Sequence, residues 1–319
     1  MEDKDKCEIV FVFQRNGSPD RNTVSKTMLE LWKKQFTAER FSIKHHDPKV
    51  FILSQWQKDD TPSLVYLTYK WITTLFFIAT WTLSIIDISH LNDPAVNRAK
   101  WLIYLTNWGF TACTIQSVLC TAMLTICYLD ARSQASLTGE NHKVLQLYKV
   151  YWTANIIATD IAFGITIIYW ALIYDETKMS LDGMNIIVHV FNSLLMLIDL
   201  CIVAHPIRLM HFYCPMICGA CYIVFSIIYY LAGGTNKDGS IAIYPILNWS
   251  KPGITVLICV LVTLFIIFLH ILTYCIYKAR KAIHRSLVKI GKGTKDTSSQ
   301  ECEKEGCTNP VPVMSNEVV

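Results

Sequence analysis

Of the 319 residues, 52% are hydrophobic and only 17% are charged, against about 25% charged in an average soluble domain, which excludes an ordinary water-soluble body. The formal net charge of +4 comes mostly from Lys and Arg at the two ends. These are not interleaved with base-stacking aromatics, so nucleic acid is not an expected partner. Apolar residues fall in blocks of about twenty with the charges between them, the way a bilayer sorts a chain.

In chain order, residues 1–67 are mixed and polar. The start, Met1-Glu-Asp-Lys-Asp-Lys6, leads into no apolar core and no small-residue cleavage site. No removable signal peptide is therefore expected, and the first membrane helix is expected to direct insertion. Two amphipathic patches, one at Met28, Leu29, Leu31, Trp32 and Phe36 and one at Phe51 and Trp56, are expected on the cytoplasmic membrane surface. Six stretches, 68–89, 101–129, 150–174, 184–204, 209–232 and 253–278, are each too long and too apolar for a soluble core helix. The second, at ~1.5 Å per residue, exceeds the ~30 Å hydrocarbon layer and must tilt or protrude. Trp and Tyr mark many of the ends, as at Tyr69, Trp71, Trp101, Tyr151, Trp152, Tyr169 and Trp170. The fold class is therefore all-α: a polytopic bundle over 68–278, preceded by an interfacial region at 1–67. A basic juxtamembrane segment and a tail follow at 279–319, and the Gly, Lys, Thr, Ser and Glu after about 291 predict disorder.

Orientation follows from Lys and Arg. Eleven precede the first stretch, 3 lie at 130–149, 1 at 205–208 and 8 from Lys278 onward, whereas the alternate connections hold 2, 1 and 2. That excess places both termini in the cytoplasm, which requires an even number of spans. The Asn248-Trp-Ser sequon then lies outside, too near the sixth span for efficient glycosylation. Asn16-Gly-Ser lies inside and is expected to be silent. The end, Glu317-Val318-Val319, matches the free-carboxylate mode of a PDZ-type partner, a match that short hydrophobic termini also make by chance.

Polar side chains within spans carry the chemical information: Asp87, Thr106, Asn107, Gln116, Asn155, Asp160, His189, Asn192, Asp199 and His270. Their ordinary use is interhelical hydrogen bonding. Thr106 and His189 are each five residues into helices that enter from the same face, so each lies about 7 or 8 Å below it. At a shared depth a hydroxyl and an imidazole form a nucleophile and general base if the two helices meet. Asn107 and Asn185 are the nearby candidates for orienting the ring or stabilising an oxyanion. A membrane-buried nucleophile suits a lipid ester. Dispersed carboxylates at Asp87, Asp160 and Asp199 raise a channel or transporter alternative, against which stand the lack of a Gly/Pro-broken helix pair and of an inverted repeat.

No cofactor or metal is expected. Cys214, Cys218 and Cys221 line an apolar helix, where a charged iron–sulfur cluster is poorly housed; they read as packing residues or acylation sites. Cys113, Cys120 and Cys127 repeat at heptad spacing and let a neighbouring helix approach closely.

Several motifs carry a resemblance. Tyr104-Leu-Thr-Asn-Trp-Gly109, His189-Val-Phe-Asn192, Tyr229-Tyr-Leu-Ala-Gly-Gly-Thr235 and Tyr244-Pro-Ile-Leu-Asn-Trp249, with His46-Asp-Pro48 and Ser54-Gln-Trp56 upstream, resemble the rolling stone proteins over roughly residues 45–280. That resemblance implies a plasma-membrane protein with a role in myoblast fusion; the residues themselves are compatible with the plasma membrane and with the endoplasmic reticulum. A more distant similarity is to the androgen-induced six-span threonine hydrolases of fatty acid esters. It implies a catalytic Thr at Thr106 and a catalytic His at His189, although the surroundings of His189 depart from the hydrolase pattern. Three readings result: a fusion or contact protein, an intramembrane Thr/His esterase acting on a lipid ester, and a channel or transporter subunit.

Overall fold

The computed structural model describes residues 36–86, 99–132, 145–174 and 183–304, with side chains through 290. Among these residues there is no β-strand, and six helices are long and apolar enough to cross a membrane: Leu64–Ile86, Leu105–Arg132, Tyr148–Ile173, Gly183–Ile202, Leu209–Leu231 and Pro252–Ile290. The protein is a multi-pass membrane protein. All six expected spans are present, with ends shifted by a few residues except at the sixth, whose helix continues past 278. Trp101–Ile103 forms a 3₁₀ turn before the second span rather than its first turn.

The third span is central, packed against the second, fourth and fifth. Close approach of the second and third depends on Gly109, where an added Cβ would lie 2.5 Å from Ile165 Cδ1 and 2.7 Å from Ile161 Cγ2. The heptad cysteines Cys113, Cys120 and Cys127 are buried on the same helix, as their small volume requires.

Two spans contain a wide π-helical turn. Tyr169–Ile173 ends the third span and Ile187–Phe191 lies in the fourth. The N–H groups of Tyr174 and Asn192 reach back five residues, to Tyr169 O and Ile187 O. Such turns are rare and leave backbone groups less regularly paired. Here Thr166 Oγ1 donates to His189 O at 2.6 Å and also meets Ser193 Oγ, tying one wide turn to the neighbouring helix.

The segment before the first span is built into the bundle. Residues 53–55 run antiparallel to 202–204, with Gln55 N–H donating to Ile202 O and Ala204 N–H to Leu53 O. Trp56 Nε1 donates to Cys201 O at 2.8 Å. Phe51, expected on the membrane surface, is instead completely buried among Tyr148, Trp152 and His205. The Arg208 guanidinium donates to the carbonyls of Glu39, Ser42 and Lys44. Of the first expected patch, only Phe36 lies within the described residues, and it is exposed.

The chain divides into Met1–Tyr277 and Lys278–Val319. In the second unit the helix does not stop at 278 but runs to Lys304. Lys, Arg, Ala and Leu are good helix formers, and no Pro or Gly interrupts them before Gly291.

Candidate functional site

The connection between the fifth and sixth spans, 232–251, folds back onto the bundle, and the Gly-Gly and Tyr-Pro motifs explain how. Gly233 adopts φ +76°, the left-handed conformation that ends a helix most cheaply in glycine. Its N–H donates to Tyr230 O, and that of Gly234 to Tyr229 O. A Cβ at Gly234 would lie 2.4–2.5 Å from the Tyr229 ring, so glycine there lets the ring lie on the backbone while its hydroxyl donates to Thr235 O. Lys100 Nζ then donates to Thr235 Oγ1 and Asn236 O, and Tyr104 OH accepts from Lys237 N–H. Trp249 Nε1 donates to Ser226 Oγ on the fifth span.

Beneath this connection lies a cavity of about 120 Å³ between the second, third, fifth and sixth spans. Its walls are mostly aliphatic: Ile161, Gly164, Ile165 and Ile168 of the third span, Gly219 and Ile223 of the fifth, Ile258, Val262 and Ile266 of the sixth. Of the lining hydroxyls, those of Thr106, Tyr222 and Tyr244 come together, apart from Thr263, which donates to Cys259 O at 2.8 Å. Tyr244 OH lies against Thr106, accepting from its backbone N–H at 3.5 Å and meeting its side chain. Tyr222 OH, also on the wall, donates to Ile103 O at 2.8 Å. Burial pushes the Tyr244 phenol up, and that of Tyr104 up to about 12, so both stay protonated and able to donate at neutral pH.

Thr106 therefore borders the cavity, half-buried in the first turn of its helix. The second and fourth spans do meet, through Cys113 Sγ to Asn192 Oδ1 at 3.0 Å and Gln116 Nε2 to Met196 Sδ at 3.5 Å. Among the described residues, however, no hydrogen bond joins Thr106 to His189. The His189 ring stacks on Tyr169, centroids 3.4 Å apart and 3° from parallel. Tyr169 lines the cavity and His189 does not; His189 Nδ1 is buried without a hydrogen-bond partner. Asn107 Nδ2 donates to Trp101 O at 2.6 Å, fastening the 3₁₀ turn. Asn185 lies in the short helix Gly183–Ile186 just before the wide turn that carries His189.

The remaining buried polar residues form separate clusters. Lys70 Nζ meets Asp199 Oδ1 at 2.5 Å, with Tyr69 OH on the same oxygen at 3.2 Å, and so joins the first and fourth spans. Asp160 accepts from Thr273 Oγ1 at 2.9 Å and meets His270 Nδ1 at 2.7 Å, joining the third and sixth. His270 Nε2 faces Arg208 O at 3.0 Å. With acceptors at both ring nitrogens, an imidazolium satisfies this geometry. Thr74 Oγ1 lies 2.6 Å from Ser117 Oγ and 2.7 Å from Thr121 Oγ1. Asp160 and Asp199 thus close on their own partners in different clusters; Asp87 lies outside the described residues. Sequence reasoning missed Lys70, and its signal was available: a lone cation inside a span requires an anion, and Asp199 offers one. It also missed Tyr222 as a cavity residue.

Residues 26–293 match the family model described as Protein rolling stone. The chain is 31% identical over 260 residues to Protein rolling stone of Drosophila melanogaster, covering 80% of this chain and 92% of that one. No solved structure matches.

Proposed function

Because this chain belongs to the rolling stone family, we propose that it acts at the plasma membrane in cell fusion, of myoblasts or of cells in similarly close contact, and that it acts through membrane lipid. One observation carries the second part. The longest connection at the Thr106 end, 232–251, is bonded down over an apolar cavity rather than raised as an adhesive module. Among the described residues, what this end offers a facing membrane is a roofed, lipid-like interior. The test is content mixing between two labelled populations of non-fusing cells made to express the full chain at the surface. Mixing severalfold above vector-only cells, reduced by Tyr244→Ala at equal surface expression, is expected. Surface expression without any gain in mixing would refute the fusion reading.

A second reading has its own observation, the presence of Thr106 on the cavity wall. In a threonine hydrolase, Thr106 Oγ adds to an ester carbonyl, a base takes its proton and returns it to the departing alcohol, and water then releases the acid. For His189 to be that base, one of its in-plane ring nitrogens must come within hydrogen-bond reach of Thr106 Oγ, whereas here His189 lies off the cavity wall. Hydrolysis of a branched fatty acid ester by the purified protein, abolished in both Thr106→Ala and His189→Ala, supports this chemistry. Equal rates in wild type and Thr106→Ala remove it.

A further inference from the structure

We infer that the cavity beneath Tyr244 is a binding site for a single-tailed lipid with an uncharged hydroxyl head, such as a long-chain fatty alcohol. This goes beyond the fusion reading and does not depend on it, because it concerns occupancy alone.

The shape is that of a chain. Lining residues recur at about one helical turn along two helices, Ile161, Ile165 and Ile168 on the third span and Ile258, Val262 and Ile266 on the sixth. The eight-residue interval from Ile258 to Ile266 is ~12 Å at 1.5 Å per residue. The slot therefore runs parallel to the helices, from near the bilayer surface toward its middle. An apolar pocket of ~150 Å³ holds a benzene-sized molecule, so about 120 Å³ encloses the head and first few carbons only. The rest of the chain has a route outward. Ile223, Ile258 and Val262 are half-buried, and Val224, Val260 and Leu261 beside them are exposed, so this wall adjoins bilayer lipid.

The head end is equally defined. Of the five hydroxyl groups on the described lining, those of Thr106, Tyr222 and Tyr244 meet one another, a set that both donates and accepts, while Thr263 spends its hydroxyl on Cys259 O. Among the described residues, no Lys, Arg or His belongs to the lining. A carboxylate or phosphate would lie there unpaired in an apolar surrounding, which is strongly unfavourable, whereas an alcohol needs no counter-ion.

The test uses the full-length protein purified in detergent and a C16 alcohol carrying a diazirine and an alkyne on its tail, with labelled positions mapped by mass spectrometry. Labelling is expected on cavity residues of the third, fifth and sixth spans, displaced by oleyl alcohol at least tenfold more effectively than by oleate at pH 8. Gly219→Leu is the blocking variant, since a Cβ at Gly219 meets only Ile266 Cδ1, at 4.0 Å; it is expected to lower labelling about tenfold. Tyr244→Phe, which removes one hydrogen bond, is expected to weaken oleyl alcohol competition about fivefold. Labelling confined to outward-facing residues, or unchanged by folded Gly219→Leu, overturns the proposal. So does displacement by oleate or cholesterol equal to that by the alcohol. If Gly219→Leu does not fold, the wild-type map and the competitor order decide alone.

Discussion

Lys70 is almost fully enclosed and its ammonium rests on one Asp199 oxygen, with the Tyr66 and Tyr69 rings 5.6 and 5.8 Å away. Removing one member of such a pair leaves an uncompensated buried charge, which costs about 3–5 kcal/mol, whereas replacing both by apolar residues is often neutral. Asp199→Leu is therefore expected to lower thermal stability in detergent steeply, and Lys70→Met with Asp199→Leu to recover most of the loss; a double variant no better than the single would show the pair to be otherwise engaged. Gly233 gives a smaller effect. At φ +76° alanine costs about 1–2 kcal/mol, so Gly233→Ala is expected to loosen the 232–251 connection, read as faster hydrogen exchange there. Gly109 reaches the cavity indirectly. An alanine Cβ displaces Ile161 and Ile165, both on its wall, and overpacking of this kind costs about 1–3 kcal/mol.

The elements that shape the site are helices with irregular ends. One wide turn carries Tyr169, which lines the cavity, the other carries His189, which does not, and the two rings stack. Thr166 holds the second turn by its bond to His189 O. Thr166→Val keeps the volume but removes that donor, at a cost of about 1 kcal/mol for a part-buried carbonyl left unpaired. Hydrogen exchange at 187–193 is expected to rise while the fifth span is unchanged. Equal exchange in both proteins would mean that the turn is held by packing alone. The N-terminal segment makes a similar point. Its Phe51 and Trp56 are visible as aromatics in the sequence, but that Phe51 is fully buried against the third span while Trp56 stays exposed and only bonds its indole N–H to Cys201 O is a property of where those helices lie, not of a local pattern.

For the molecule as a whole, the charge bias sets a topological prediction. With both termini cytoplasmic, the 232–251 connection faces outward. Asp238→Cys on intact cells, in a background lacking other accessible cysteines, is expected to react with a membrane-impermeant maleimide, and a C-terminal tag to bind antibody only after permeabilisation. The reverse pattern would invert the protein and place the Tyr244 cavity toward the cytoplasm.

The six spans, their approximate limits and the helical class were determined by the sequence itself. A bilayer demands about twenty apolar residues per crossing and internally satisfied backbone groups, and both constraints are local. The rolling stone motifs were legible for the same reason, being contiguous runs such as Tyr229–Thr235. Depth arithmetic placed Thr106 and His189 near one face, but depth is only one coordinate. Rotation of each helix about its axis, the wide turns that shift it, and the Tyr169 ring beside His189 depend on packing among residues far apart in the chain. Only the tertiary structure decided that Thr106 borders a cavity with Tyr244, that His189 stacks on Tyr169, and that Lys70 and His270 are the partners of Asp199 and Asp160. Each is a side-chain contact between different spans or connections, set by how helices separated by lipid-length stretches come to face one another.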